Sequence, residues 1–277
     1  MTNVRTLLGG LRLVESPRWH EGRLWFCHWG AGEVIAVTPE GEHEVVPLAA
    51  DPHTIGWRPD GRLLVVPKHP EPDGKLLRLE PDGTLVAHAD LSALPGGCNE
   101  LVVDGRGNAY VGALGFDFGH GAPFAPGTVA LVRPSGEVLR VADDVAFPNG
   151  VAMTADNGTL VLAESYGNRL TAWDVAADGT LSGRRAWAEL GTGVPDGICV
   201  DADGAVWYAD VPNRCCVRVA DGGTVLDTVT LDRGAFACML GDSTLYIVAN
   251  EWGGVQNTGG GRVYAVPAPA ALAGWPS

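Results

Sequence analysis

The feature that most constrains the fold is a unit of about 45 residues that recurs along the chain. One copy, residues 147–165, reads FPNGVAMTADNGTLVLAES: a polar entrance residue, an apolar strand, a tight Asp-Asn-Gly turn and a second strand. Each unit then adds a second hairpin, such as GKLLRLEPDGTLVAHA or GTVALVRPSGEVLRVA. Four strands per unit at this period are typical of a propeller blade. The entrance positions predicted for the successive units are Glu15, His53 or Thr54, Asn99, Asn149, Asp196 and Cys238.

Six such units predict an all-β protein, a six-bladed β-propeller with four antiparallel strands per blade. The sixth unit is one strand short, and residues 4–13 can supply the missing strand and close the ring. We therefore expect residues 1–277 to form one domain without a linker. No segment shows sustained helical periodicity. The insertion GFDFGHGAPFAPG, residues 115–127, is rich in Gly, Pro and Phe and predicts a loop over one face of the ring.

Charge and cysteine content narrow the partners and the compartment. A net charge of −14 and a pI near 4.8 argue against nucleic acid or an anionic membrane as a partner. The N-terminal stretch lacks the apolar core of a signal peptide, and no later run is long enough to span a bilayer. The six cysteines are scattered and form no CxxC pair, which favours buried free thiols over a vicinal disulfide at residues 215–216. We expect a cytoplasmic protein, monomeric or weakly self-associating.

Four entrance residues predict a metal site. The innermost strand of each blade starts at the central channel, so equivalent entrance residues from different blades converge on one axis. Two carboxylates and two amides would meet there, and a divalent cation would offset the repulsion between the carboxylates. Carboxylate and amide oxygens suit Ca²⁺ best, and the absence of His or Cys argues against zinc as the native ion; Zn²⁺, Mn²⁺ and Mg²⁺ are the alternatives. The predicted ligands are Glu15, Asn99, Asn149 and Asp196.

A structural interpretation of these residues competes with the metal site. Asn, Asp and Gly recur wherever turns are needed, whatever the function, and for any single turn that interpretation is preferred. For Asn149 it is weaker, because Pro148-Asn149-Gly150 precedes a strand instead of joining two paired strands. Four acids or amides in register across a repeat favour the metal site.

The motifs resemble those of one family over nearly the whole chain. Residues 15–19 (ESPRW), 98–100 (CNE), 147–150 (FPNG) and 195–198 (PDGI) are similar to the ESPxW, ND, PNG and PDG motifs of the SMP-30/gluconolactonase family. The resemblance implies a six-bladed propeller with a divalent metal in the channel, and lactone hydrolysis as the usual reaction. It also implies that Glu15, Asn149 and Asp196 are ligands and that Asn99 contacts metal or substrate. Asp196 would be the catalytic base or the nucleophile, and the resemblance leaves that choice open.

Departures from the family pattern bear on the substrate. Many sugar-lactone members carry an Arg where this chain has Gly97, and an Asp where it has Glu100, while His28 matches another Asp of the family. Without the Arg no clamp for hydroxyls or a carboxylate is evident, and the insertion offers phenylalanines instead. We therefore expect a small, less polar lactone or ester. The predicted substrate contacts are Asn99, Glu100, His28, Phe116 and Tyr166.

Two other functions are consistent with the same residues. Related propellers place two Asn, a Glu and an Asp on Ca²⁺ in phosphotriesterases or fluorophosphatases. A non-catalytic metal-binding or ligand-binding propeller is the alternative from another class, although the retention of Asp196 favours an enzyme, because Asn would suffice for structural coordination. A serine hydrolase is disfavoured, since Ser165 has no GxSxG context.

Overall fold

The protein folds as a six-bladed β-propeller. The structure, a computed structural model, describes residues 4–68, 74–253 and 258–275. These residues form six separate sheets of four antiparallel strands each, joined by turns and loops, and the sole helical element among them is a 3₁₀ turn at Ser165–Gly167. The six-bladed architecture predicted from the repeat is confirmed.

The strands follow the chain from the innermost to the outermost position of each blade. The first three blades are β2 (Val14–His20), β3 (Arg23–His28), β4 (Glu33–Val37) and β5 (His43–Val46); β6 (Pro52–Trp57), β7 (Leu63–Pro67), β8 (Lys75–Leu79) and β9 (Leu85–Asp90); and β10 (Cys98–Val103), β11 (Ala109–Ala113), β12 (Gly127–Val132) and β13 (Val138–Val145). The last three are β14 (Pro148–Met153), β15 (Thr159–Glu164), β16 (Arg169–Val175) and β17 (Leu181–Glu189); β18 (Pro195–Val200), β19 (Val206–Asp210), β20 (Cys215–Val219) and β21 (Val225–Thr230); and β22 (Gly234–Gly241), β23 (Thr244–Trp252), β24 (Thr258–Pro267) and β1 (Arg5–Leu11).

The ring is closed by the N-terminal strand. Each innermost strand contacts the innermost strands of both neighbouring blades, so β2, β6, β10, β14, β18 and β22 surround a central channel. β1 pairs antiparallel with β24 as the outermost strand of the sixth blade, as the sequence predicted. Asn250 reinforces the closure, because its buried amide donates to the Val14 carbonyl and accepts from the Val14 N–H. The two ends of the ring are thus held by backbone pairing and by side-chain hydrogen bonds.

The Asp of the turns between first and second strands has a structural role. The buried Asp104 carboxylate accepts from the backbone N–H groups of Arg106 and Asn108, and Asp201 accepts in the same way from Asp203 and Ala205. These hydrogen bonds fix the turn that reverses the chain at the end of the channel opposite the entrance residues. For the turn between the first and second strands, the interpretation that Asp recurs because the turn needs it therefore holds.

The entrance residues lie in β-bulges. In each blade the ladder between the first and second strands is interrupted immediately after its first residue pairs, as between Pro148 and Val151 or between Pro195 and Ile198. A bulge frees residues from the regular alternation and re-aims their side chains. Pro148-Asn149-Gly150, which was expected to precede a strand as a turn, is therefore the bulged beginning of that strand.

The glycines of the entrance motifs allow the innermost strands to approach closely. A Cβ on Gly150 would lie 2.4 Å from the carbonyl oxygen of Asp196 and 2.6 Å from the nitrogen of Ile198. A Cβ on Gly197 would lie 2.2 Å from the Cβ of Ala237 in the next blade. Neither glycine has a positive φ. The glycines are required for packing between blades and not for backbone conformation.

Gly150→Ala is expected to destabilise the folded protein by about 3 kcal/mol, because the obstructing atoms belong to the backbone of the neighbouring blade. Gly9→Ala is the matched control, since a Cβ on this strand glycine would meet only side-chain atoms at 3.9 Å. The measurement is urea unfolding of the two variants. Equal stability of the two would contradict the close-packing explanation.

The C-terminal segment runs across the end of the channel opposite the entrance residues. Trp275 and Met153 exchange backbone hydrogen bonds at the end of β14, and Ala202 donates to the carbonyl of Ala271 just beyond β18. The sequence offered no signal for this crossing. Because this segment lies over the far ends of the innermost strands, the entrance face is the side on which the candidate site is approached.

The core consists of apolar side chains packed between neighbouring sheets. Its largest fully buried members include Trp207, Tyr110, Tyr246 and Phe26.

All six cysteines are free, as expected, and burial raises the pKa of the Cys199 and Cys238 thiols well above the usual range. In the described parts of the chain, no helix has the length and apolar character needed to cross a membrane.

Candidate functional site

Five blades present a polar side chain in or next to the bulge of the innermost strand. Asn99, Asn149 and Asp196 lie within the bulges of β10, β14 and β18, whereas Glu15 pairs with Cys27 and immediately precedes the bulge of β2. In the second blade the bulged residue is His53, because Pro52 and Thr54 both pair with β7. The ring of entrance positions is therefore reproduced in five blades.

The prediction of Cys238 as the sixth entrance residue is wrong. The bulge in β22 lies between Ala235 and Ala237, so Phe236 occupies the entrance and Cys238 lies further along the strand. Cys238 is buried, and its thiol faces the carbonyl oxygens of Gly197 and Trp207. The sixth blade thus contributes an aromatic ring and no oxygen ligand, and the spacing of the repeats alone could not reveal this small offset.

Asn149 and Asp196 lie close together across two blades, and their interaction acts to lower the pKa of Asp196, against the larger effects that raise it. The Nδ2 of Asn149 donates to the hydroxyl of Ser165 at 3.2 Å. That hydroxyl in turn donates to the carbonyl of Pro195 at 2.7 Å. The Asn149 amide is therefore tied through Ser165 to the strand that carries Asp196.

Asn99 is oriented by His53 and by the next blade. Its Nδ2 donates to the Pro148 carbonyl at 3.1 Å, and its Oδ1 lies 3.3 Å from Nε2 of His53. The His53 ring stacks on Trp29 with ring centroids 4.3 Å apart, and burial lowers the pKa of His53, so the ring is neutral. With Nε2–H donated to Asn99, the Nδ1 of His53 is a buried acceptor without a partner among the described residues. Asn99 is thus held between two blades, with a polar atom left unsatisfied beside it.

Two entrance carboxylates have no compensating charge of their own: Glu15 is buried and Asp196 is half-buried. Burial, followed by the Glu100 carboxylate, raises the pKa of Glu15 to about 8. Burial and the charges of Glu15 and Glu100 raise the pKa of Asp196 well above its usual range. The nearest cation, Arg18, is already paired with Glu100 at 2.6 Å. The site therefore concentrates negative charge that the protein itself does not neutralise.

Glu100 belongs to a buried polar network beneath the entrance. Its Oε1 accepts from Arg18, from the hydroxyl of Thr54 and, at 3.3 Å, from the hydroxyl of Ser16. Arg18 also donates to the carbonyl of Leu101 at 2.8 Å. This network ties the first three blades together next to Glu15. The contacts of Glu100 are with protein groups, so its predicted contact with substrate stays a prediction.

His28 is one of several residues that tether the entrance loops. It ends β3, and its Nε2 accepts from the backbone N–H of Arg12 while its Nδ1 lies 2.9 Å from Glu33. At the same place in their blades, Glu164 accepts from the Ala146 N–H and Asp210 accepts from the Val194 N–H. A polar residue at the end of the second strand thus fixes the segment that leads into the first. For His28 this geometry favours a structural role, and its contact with substrate stays a prediction.

The donor set suits a hard divalent cation. A cation at the entrance would offset the charge of Glu15 and Asp196, whose pKa values are raised. Carboxylate and amide oxygens are the ligands that Ca²⁺ prefers, and waters would complete its six to eight positions. Among the described residues, no group of three or more His, Cys, Asp or Glu side chains is placed to hold a metal ion. The predicted set contains two carboxylates and two amides, so this absence concerns zinc-type sites and not a mixed carboxylate–amide set.

Aromatic rings form a continuous cluster beside Asn149. Phe147 precedes the bulge of β14, and Tyr166 follows Ser165, with ring centroids 4.6 Å apart. Phe116 from the insertion contacts both, at 5.9 and 6.2 Å. Phe124 and Tyr166 are half exposed, at 51% and 52%, whereas Phe116 and Phe147 are buried. We call this cluster the aromatic wall; its members are Phe116, Phe118, Phe124, Phe147 and Tyr166.

Several contacts of the site were missed by sequence reasoning. Arg18 could have been found, because a second acid in the entrance ring, Glu100, requires a cation in a nearby blade. The tethers could have been found from the polar residue that follows each apolar second strand, as in LAES or YADV. The stacking of Trp29 on His53 and the inclusion of Phe147 in the wall depend on contacts between blades, for which the sequence holds no local signal.

The chain is similar to known proteins in its sequence motifs and in its fold. Residues 13–251, which contain all four motifs, match the family model described as the SMP-30/Gluconolactonase/LRE-like region. The pentonolactonase XacC of Haloferax volcanii is 28% identical over 234 residues, covering 82% of this chain and 76% of that protein. A luciferin-regenerating enzyme superposes with a TM-score of 0.81 at 19% identity, covering 99% of both chains. Regucalcin of Agrobacterium tumefaciens strain C58, a calcium-binding protein, superposes with a TM-score of 0.79 at 19% identity, covering 98% of this chain and 97% of that one. The two structural likenesses show the fold.

Proposed function

Since the chain belongs to the SMP-30/gluconolactonase/LRE-like family, we propose that it is a lactonase-type hydrolase that opens a small lactone or ester at the entrance of the channel. The observation that carries the proposal is the pair of carboxylates with raised pKa values, the buried Glu15 and the half-buried Asp196, with the amides of Asn99 and Asn149 beside them. A site that served only the fold would not keep two acids together without a cation to neutralise them. The relationship to a pentonolactonase supports the same class of reaction.

Glu15, Asn149 and Asp196 would hold a divalent cation, most favourably Ca²⁺, and Asn99 would add a ligand oxygen or contact the substrate. When bound, the cation would polarise the substrate carbonyl and offset the negative charge that develops on its oxygen. The hydrogen bond that Asn149 donates to Ser165 orients its amide and would leave its Oδ1 available as a ligand. The hydrogen bonds from Asn99 to Pro148 and His53 hold that side chain in one orientation.

Asp196 would act as the base. Its carboxylate takes a proton from water as the water oxygen bonds to the carbonyl carbon, and the ring C–O bond then breaks. The proton passes to the departing ring oxygen, and the product is an open-chain hydroxy acid, so one water is consumed and no other reactant is needed. Asn149, which lies beside the Asp196 carboxylate and interacts with it, would help to orient that carboxylate during this transfer.

The proposal is tested by hydrolysis of a panel containing D-glucono-δ-lactone, δ-valerolactone, a simple aryl ester and a phosphotriester, each with Ca²⁺ and with EDTA. We expect lactone hydrolysis above the spontaneous rate, lost on chelation and restored by Ca²⁺. A flat baseline together with a melting temperature raised by metal would instead indicate a binding propeller. Turnover of the phosphotriester alone would favour a phosphotriesterase, and lactone hydrolysis unaffected by EDTA would contradict the metal requirement.

A further inference from the structure

We infer that the aromatic wall is a subsite for an apolar substituent on the lactone or ester ring, so that the preferred substrates carry an alkyl or aryl group in place of several hydroxyls. This inference rests on the proposed function. It adds the class of substrate, which neither the family nor the ring of oxygens determines.

The wall is continuous with the candidate site. Phe147 is two positions before Asn149, and Tyr166 directly follows Ser165, whose hydroxyl contacts the Nδ2 of Asn149. Backbone hydrogen bonds from Ser165 to Phe147 and from Tyr166 to Ala146 fix these two segments against each other. A substrate whose reacting carbonyl lies near Asn149 would therefore direct a substituent on that side over the rings of the wall.

The insertion is anchored as part of the same surface. The loop that carries Phe116 closes against the segment before Asn99, since Leu114 donates to Gly97 and Gly115 donates to Pro95. A Cβ on Gly96 would lie 2.2 Å from the nitrogen of Phe116, so the two segments pack backbone against backbone. The insertion thus places its rings at the third and fourth blades, where Asn99 and Asn149 begin their strands.

The chemistry of the wall selects an apolar partner. Phe124 and Tyr166 expose half of their surface on the entrance face while their rings lie 5.6 Å apart. Exposed aromatic side chains that contact one another beside a catalytic pocket are typical of ligand subsites. Gly97, whose carbonyl accepts from Leu114 just before the insertion, carries no side chain, and no heavy atom lies within 4 Å of where its Cβ would be. An alkyl or aryl group gains from this surface, whereas a polyhydroxylated ring would lose water there without polar partners in the wall.

The test compares δ-decalactone, which carries a pentyl group, with δ-valerolactone, the same ring without it. Because each buried methylene contributes about fourfold at most, we expect kcat/KM of the wild-type protein to favour δ-decalactone by about tenfold or more. Phe124→Ala should lower the ratio of the two kcat/KM values by about fivefold, and Phe124→Leu should restore part of it. Leu226→Ala is the control, since Leu226 is also exposed, at 48%, but lies on the outermost strand of the fifth blade, and it should leave the ratio unchanged.

Failure of the subsite and failure of the proposed function give different results. If the wild-type protein hydrolyses both lactones equally well, or if Phe124→Ala leaves the ratio unchanged, the subsite is overturned while the lactonase proposal stands. If neither lactone is hydrolysed, binding is measured by NMR saturation transfer with the ketone in which a methylene replaces the ring oxygen of δ-decalactone. Signal from its pentyl group that Phe124→Ala abolishes would support the subsite without the activity, and absence of binding would overturn the subsite as well.

Discussion

Asp196→Asn is expected to lower kcat for the hydrolysed lactone by about two to four orders of magnitude. The substitution keeps one ligand oxygen and nearly the same shape. Under the proposed mechanism it removes the basicity that the attacking water requires. Metal affinity should fall less than in Asp196→Ala, because one coordinating oxygen survives. The measurement is the hydrolysis rate of both variants as a function of Ca²⁺ concentration.

A control separates loss of the base from loss of surface charge. Asp221→Asn removes an exposed carboxylate of the same blade that pairs only with Arg185 on the surface, and we expect it to retain full activity. Full recovery of Asp196→Asn at saturating metal would remove Asp196 from the chemistry and leave it as a ligand alone. In that case Glu15, Glu100 and His28 would be the next candidates for the base.

Glu15→Gln is expected to have opposite effects on stability with and without metal. In the metal-bound protein the loss of one of two carboxylate ligands should weaken Ca²⁺ binding by about 100-fold. It should therefore reduce the gain in melting temperature on adding metal. In the metal-free protein the same change removes a buried, poorly compensated charge and should raise the melting temperature at pH 8 by about 5 °C or more.

The pH dependence of the melting temperature follows from the direction in which the pKa of Glu15 is shifted. The pKa of Glu15 in the folded, metal-free protein is raised to about 8 from its usual 4.5, so the folded state binds this proton more tightly than the unfolded chain. The contribution of the Glu15 proton to the free energy of unfolding is complete below about pH 4.5 and is lost as the pH rises through about 8. We therefore expect the melting temperature in EDTA to fall across this interval, and Glu15→Gln to make that fall smaller.

Glu137→Gln is the matched control, because Glu137 is exposed and pairs with Arg133 at the surface. It should change neither metal affinity nor the pH dependence in EDTA. Wild-type metal affinity in Glu15→Gln would exclude Glu15 from the ligand set. A melting temperature of the metal-free variant below that of the wild type at pH 8 would show that Glu15 is structural.

Much of the fold was predictable because its signals are local. Alternating apolar residues and Asp-Gly turns act between residues close in the chain, and they repeat six times, so an error in one unit is corrected by the others. The missing strand of the sixth blade was predictable for the same reason, since only the N-terminal segment was left to pair with β24. Where the signal was weakest, the prediction was wrong: Cys238 was taken for an entrance residue in a unit whose bulge holds Phe236.

The candidate site was predictable in part. The residue types at the entrance of four blades were evident from the repeat, because equivalent positions in a ring meet at its axis. Their individual surroundings were not. The sequence did not reveal that Glu100 pairs with Arg18 in another blade. Nor did it reveal that the ring of His28 accepts from the N–H of Arg12, and the contact of both residues with substrate stays a prediction.

The number of blades, the strand order within each, and the positions of Asn99, Asn149 and Asp196 at the start of their innermost strands could be predicted without coordinates. The coordinates were needed to show that Gly150 and Gly197 are required for contact between blades, that these entrance residues lie in bulges, and that rings from the insertion and the fourth blade form one wall. The reason is physical. Strand periodicity and turn chemistry involve neighbours in the chain, whereas close approach, charge pairing and ring contacts involve residues tens of positions apart, which meet only after the ring has closed.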